Sequence, residues 1–184
     1  MKYLSTAELE AGLNNVIDSP KDNGRLEMIV RRPGSGQREQ LEEGILDLKE
    51  GLIGDNWKLR KNSRTPDAPP NPETQITLIN TRLISLLAVD RDRWKLCGDQ
   101  LFIDLDLSFA NIPPGTRLDL GSTVLEITAH PHTGCKSFSE WFGPEALQFI
   151  NNPRGRELNL RGVHARIIKA GPVKIGNIAR KIRY

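Results

Sequence analysis

Hydrophobic and polar residues alternate in "TQITLIN" (residues 74–80), where β-branched side chains are also frequent, and this predicts a strand. The next stretch, "TRLISLLAVDRDRW", changes to helical spacing, with Leu83, Leu86, Leu87 and Trp94 able to share one face. Alternation returns in "QLFIDLDLSF". There Leu101, Ile103, Leu105 and Leu107 fall on one side and Asp104 and Asp106 on the other. The period thus runs from strand to helix and back to strand between Thr74 and Phe109.

The flanking segments follow the same logic. "STAELEAGLNNVIDSP" predicts an opening helix within residues 1–20, with Ser5 and Glu8 spaced as a capping box and Pro20 ending it. "LEMIVRRP" and "EQLEEGILDLKEGLIGD" hold short apolar runs broken by Gly and Pro, which suits strands and turns. "NSRTPDAPPNPE" (62–73) has four prolines and no period, and is a long loop, either a functional rim or a plain surface insertion. "IPPGTRLDLGSTVLEITAHP" predicts two strands joined at Gly121–Ser122, and "SFSEWFGPEALQFINN" short helices. "GVHARIIKAGPVKIGN" predicts a strand, a reversal at Gly171–Pro172 and a further strand. Roughly seven or eight short strands with one or two inserted helices describe a mainly β, α+β fold, a barrel or sandwich decorated by helices. With no internal repeat and no linker, residues 1–184 are expected to form one domain.

Composition narrows the class. The chain of 184 residues is 38% hydrophobic and 27% charged, ordinary values for a domain with its own core. No apolar run reaches the roughly 18 residues of a membrane span, and "MKYLSTAELEAGL" is too polar for a secretory signal, so a cytoplasmic location is expected. Cys97 and Cys135 are the only cysteines; they form no CxxC pair and match no zinc-finger spacing. The net charge of +3 is uneven: nine Lys and Arg face the single acid Glu157 from Asn152 onward. Such a basic segment suits a phosphate-bearing small ligand or a solvated strand face. Nucleic acid is disfavoured, because Tyr184 is the only aromatic there and no reader motif is present.

Chemistry concentrates in "AHPHTGCKSF" (129–138). Cys135 follows a strand across a His- and Gly-rich loop, a placement typical of ligand and catalytic residues. His132 and Lys136 are its neighbours, and positive neighbours favour the thiolate, which is both nucleophile and metal ligand. Cys97, closing the amphipathic "RDRWKLCGD", has the setting of a packing residue. In "GLIGD" (51–55) two glycines flank an apolar pair before Asp55, which marks a tight turn.

Seven of these features, in order, resemble the MOSC domain, the module named for the C-terminal part of molybdenum cofactor sulfurase. They are Gly51–Asp55, Gln75–Ile79, Gly98–Asp99, Pro114–Gly115, "LGSTVLEIT", Cys135 with Phe138, and Arg161 through Gly176, within residues 44–178. Three positions depart from the family pattern: Asn56–Trp57 stand where His is frequent, Gly134 where Pro usually precedes the cysteine, and Asn177 where the closing Gly-Asp pair ends.

The resemblance implies a β-barrel with a few helices that binds molybdenum cofactor, with Cys135 as the molybdenum ligand. It also implies either a reductase of N-hydroxylated small molecules, fed by an external electron donor, or a module without turnover that carries persulfide sulfur on Cys135 from a donor protein. A soft thiolate suits a metal already held by dithiolene sulfurs. The cofactor's phosphate would need cationic donors, for which Arg154, Arg156, Arg161 and Lys136 are candidates. Asp55 would position cofactor or substrate, or simply stabilise its turn. His130 and His132 would transfer protons, or be strand-end surface residues, and His164 would pack. Pyridoxal phosphate, associated with desulfurase domains fused to some relatives, is not expected in this chain.

Overall fold

The computed structural model describes residues 3–59 and 68–182. Half of the proline-rich loop expected at 62–73, residues 62–67, therefore lies outside the described residues; its end forms a short 3-10 turn at Pro72–Thr74. The opening helix α1 (Thr6–Ile17) carries the expected capping box, with Ser5 and Glu8 bonded reciprocally. It precedes β1 (Gly24–Arg31), β2 (Glu39–Leu41), β3 (Glu43–Asp47), β4 (Gly51–Leu52), β5 (Ile76–Asn80), α2 (Thr81–Leu87) and β6 (Leu101–Asp104). Then come β7 (Arg117–Asp119), β8 (Val124–Ile127), α3 (Lys136–Phe142), α4 (Pro144–Asn151), α5 (Pro153–Glu157), β9 (Val163–Lys169), β10 (Gly171–Lys174) and β11 (Ile178–Lys181).

The strands run in the order β11-β7-β8-β9-β5-β6-β1, and β1 pairs again with β11, so the sheet closes into a seven-stranded barrel with β2 attached to β1. The expected α+β barrel with short helical insertions is the fold observed. Closure removes the free edges that an open sheet would present. Leu26, Ile29, Leu78, Leu101, Ile103 and Leu125 fill the interior. Outside, Met28, Val30, Ile79 and Phe102 meet Leu9 and Leu13 of α1 and Phe138, Phe142 and Phe149 of α3 and α4 in a second core. The two cores explain why β5 is buried along its whole length despite its alternating sequence: one face meets the barrel interior, the other the helices.

Three expectations from the sequence need correction. The single helix over Thr81–Trp94 is two pieces. Ala88 takes an extended conformation after α2, and a 3-10 helix over Arg91–Cys97, capped by Asp90, carries Trp94. The strand expected through Leu107 stops at Asp104, although Leu105 and Leu107 stay in the core. Gly171–Pro172 does not reverse the chain into a hairpin on β9. Both residues belong to β10, which pairs with β3 in a separate sheet ordered β10-β3-β4. Pro172 fits there because β10 is an edge strand, where a missing N–H donor is tolerated. Leu46, Leu52 and Val173 from this small sheet sink into the barrel's own core.

Candidate functional site

Five connections converge on one cleft of about 1040 Å³: the loop after β1, the described ends of the β4–β5 connection, the turn after the 3-10 helix, the β8–α3 loop and the approach to β9. Glycine decides the last of these. Gly162 has φ +98°, and a Cβ there would lie 2.1 Å from the Leu78 carbonyl oxygen, so only glycine lets Arg161 enter beside β5.

Two buried ion pairs build the cleft's positive wall. Arg32 and Asp55 are 2% and 0% exposed. The Asp55 carboxylate accepts from Arg32 Nε and one terminal nitrogen (2.8 Å each), and from the Arg32 and Trp57 backbone N–H groups (2.9 Å each). Arg161 Nη1 donates to Asp99 Oδ2 at 2.5 Å, with the two side chains 7% and 0% exposed. The "CGD" turn grips both arginines: Cys97 O accepts from Arg161 Nη2 (2.9 Å) and Gly98 O from Arg32 Nη1 (2.8 Å). Burial is the largest single influence and opposes the Arg161 charge, but Asp99 and the neighbouring cysteines together hold the guanidinium above its ordinary pKa.

Arg38 completes the wall. It donates to the Gln37 carbonyl but pairs with no carboxylate among the described residues. Partial burial, and then the neighbouring Arg32 charge, lower its pKa. Among the described residues, the buried Nε atoms of Arg38 and Arg161, Asp99 Oδ1 and His132 Nδ1 have no hydrogen-bond partner. Unsatisfied buried polar atoms are uncommon in a folded domain, and three of these four belong to residues that line the cleft, Arg38, His132 and Arg161, with Asp99 behind them.

The cysteines differ as their sequence settings suggest. Cys135 is exposed, at the N-cap of α3 without a side-chain cap bond, and it lines the cleft. Cys97 is buried, and burial, reinforced by Asp99, pushes its thiol well above the ordinary range. Its side chain belongs to the outer core, though it also borders the cleft.

The histidines form a cluster. His132 and His164 have ring centroids 4.4 Å apart, and His130 meets His164 at 5.2 Å. His132 Nδ1 lies 3.7 Å from Asp99 Oδ1, too far for a full hydrogen bond. Burial, then the Arg161 charge, depress His132 well below its ordinary pKa, and burial takes His164 to about 4. Both rings are therefore neutral near pH 7. The sequence treated His164 as packing; the structure puts it on the wall of the cleft and of an adjoining cavity of about 300 Å³.

The remaining predicted site residues are scattered. Asp55 does not line the cleft; its oxygens are taken by Arg32 and Trp57, so it positions Arg32. Lys136 is almost fully exposed near Glu140, and Arg154 lies 4.0 Å from Glu10 on α1, and neither lines the cleft. Arg156 donates to the Asn151 carbonyl and lines the smaller cavity. Much of the basic C-terminal segment is paired: Arg166 with Glu126, Lys174 with Glu43 and Arg161 with Asp99. Sequence reasoning missed Arg32 and Arg38, and marked Asp99 only as part of the Gly98–Asp99 motif without giving it a role. The signal lay in "RRPGSGQR", where arginines bracket a Gly-Ser-Gly loop of the kind that cradles anions.

No family model matches the sequence, and no curated protein matches it. Solved structures do. YuaD from Bacillus subtilis is similar over 88% of this chain and 97% of its own, with 14% identity and a TM-score of 0.64. YiiM from Escherichia coli is similar over 87% of this chain and 70% of its own, at 17% identity and a TM-score of 0.56. YiiM from Geobacillus stearothermophilus covers 87% of this chain and 75% of its own, at 11% identity and a TM-score of 0.54. At such identities the likeness establishes the fold alone, a closed β-barrel with short helices. Among the described residues, no helix is long and apolar enough to cross a membrane.

Proposed function

We propose that the cleft binds a molybdenum cofactor, with Cys135 supplying a thiolate ligand, Arg38 receiving its anionic groups, and the buried Arg32 and Arg161 adding positive charge behind it. The observation that carries this reading is that one cleft is lined by an exposed thiol and by two arginines whose buried Nε atoms no group among the described residues satisfies. The residues present fit the group. A soft thiolate matches a molybdenum centre, and guanidinium groups match phosphate. Among the described residues there is no cluster of three or more side chains able to hold a bare ion, so a lone thiolate would complete a metal that brings its other ligands. The bound group would supply two-electron redox chemistry.

The chain's own residues then have definite tasks. Asp55 and the Gly98 carbonyl fix Arg32, while Asp99 and the Cys97 carbonyl fix Arg161. The neutral His132 ring borders the cleft. An anion beside it opposes the depression of its pKa and restores its ability to hold a proton. Reduction of an N-hydroxylated compound, R–NHOH, to R–NH2 and water consumes two electrons and two protons. The electrons would come from an external donor protein, and His132 would pass a proton.

Protein purified from a host that makes the cofactor should carry near-stoichiometric molybdenum, and Cys135→Ser should lose it at least about tenfold. Metal absent from the wild type, or unchanged in Cys135→Ser, overturns the proposal. The solvent exposure of Cys135 favours a second reading, a persulfide carrier that offers sulfur to a partner. Intact protein would then be heavier by one sulfur atom (about 32 Da) at Cys135, removable by dithiothreitol. Sulfane sulfur on Cys97, or on neither cysteine, refutes that alternative.

A further inference from the structure

The cavity of about 300 Å³ that adjoins the cleft is a pocket in its own right. Ile112, Ile127, Ile150 and Val163, all buried, give it an apolar lining. The three imidazoles form an aromatic wall, through contacts of 4.4 and 5.2 Å between ring centroids. Arg161 and His132 line it too, each at least nine-tenths buried and each holding a polar atom without a partner among the described residues. Arg156 lies at its exposed margin, and its guanidinium pairs with no carboxylate among the described residues. Exposed Phe109 adds a second aromatic surface.

We infer that this pocket binds a small planar aromatic carboxylate. Aliphatic side chains and the neutral His132 and His164 faces favour a flat ring, by burial and by offset or edge-on contact. A carboxylate directed outward meets Arg156, whose free nitrogens suit its two oxygens. The volume is at the low end of ordinary small-molecule sites and admits a single or fused ring. The inference goes beyond the cofactor reading: five residues are common to the walls of both cavities, but Cys135, Arg32 and Arg38 line only the cleft, and Arg156 only the pocket.

Benzoate and 1-naphthoate are the probes, with titration calorimetry and saturation-transfer NMR as readouts. Binding in the micromolar to millimolar range is expected for both. Arg156→Gln should weaken it about tenfold, the loss of one charge-assisted contact. The neutral benzamide should bind about tenfold less tightly than benzoate to the wild type and equally to Arg156→Gln. Phe109→Ala should weaken 1-naphthoate more than benzoate. Arg38→Met, which alters the cleft alone, should change benzoate affinity less than about twofold. No binding of either probe, equal binding by Arg156→Gln, or a larger loss in Arg38→Met overturns the inference. Displacement of benzoate by molybdenum loading would also overturn it, because the pocket would then be part of the cofactor site. Absence of molybdenum with benzoate binding intact would defeat only the cofactor reading.

Discussion

Removing the Asp55 carboxylate should be among the most destabilising single changes in the chain. Its oxygens accept four hydrogen bonds, from Arg32 Nε, one Arg32 terminal nitrogen and the backbone N–H groups of Arg32 and Trp57. With Asp55 0% and Arg32 2% exposed, water cannot replace the missing acceptor. Asp55→Ala leaves a buried guanidinium unpaired, which costs about 3–5 kcal/mol, and two stranded N–H donors reinforce that loss. At about 2–4 °C per kcal/mol for a chain of this size, the melting temperature should fall by roughly 10 °C. Urea unfolding monitored by tryptophan fluorescence gives the free energy directly. The double variant Arg32→Met/Asp55→Leu should recover most of it, because the charge and its partner leave together. A loss below about 1 kcal/mol for Asp55→Ala would refute the claim that this pair is sealed from solvent. A double variant no more stable than Asp55→Ala would place the cost in the backbone donors instead.

Iodoacetamide should label Cys135 at least about 100-fold faster than Cys97 in the native protein, read by peptide mass mapping, with the difference vanishing in denaturant. His132 and His164 have folded pKa values below the ordinary 6.5, so the unfolded chain binds more protons and stability falls as pH drops through 6.5 towards about 4. Each ring adds up to about 1.4 kcal/mol per pH unit in that window, and urea midpoints of the double variant His132→Asn/His164→Asn should depend less on pH than those of the wild type. Gly162→Ala should cost about 4 kcal/mol or more, since its Cβ would strike the Leu78 carbonyl at 2.1 Å. Gly121→Ala, at φ +95° with open space around it, should cost only about 1 kcal/mol, and similar losses for the two glycines would refute the steric argument.

Local signals carried much of the fold. The Ser5–Glu8 box, the alternation of β5 and β6 and the turn between β7 and β8 depend on near neighbours and were legible. In "LEMIVRRP" alternation breaks down, because a bulge between Leu26 and Met28 shifts the strand's facing. Leu26 and Ile29 point into the barrel, and Met28 and Val30 towards the helices. The strand β11, which closes the barrel through Gly24–Ala179, was missed, since only pairing at long range gives its short polar sequence a strand partner.

The candidate site divides in the same way. The sequence alone singled out Cys135 and its loop, because a thiol among glycine and histidine is recognisable from chemistry and position in the chain. It also set the class of fold, because hydrophobic period is a local property. Only tertiary structure decided that Arg32 and Arg38 rather than Lys136 and Arg154 face Cys135 across the cleft, that Asp55 serves Arg32, and that His164 joins His132. The reason is physical: burial and pairing set what a charged side chain can do, and both depend on residues distant in sequence, such as Arg161 and Asp99, which are 62 positions apart.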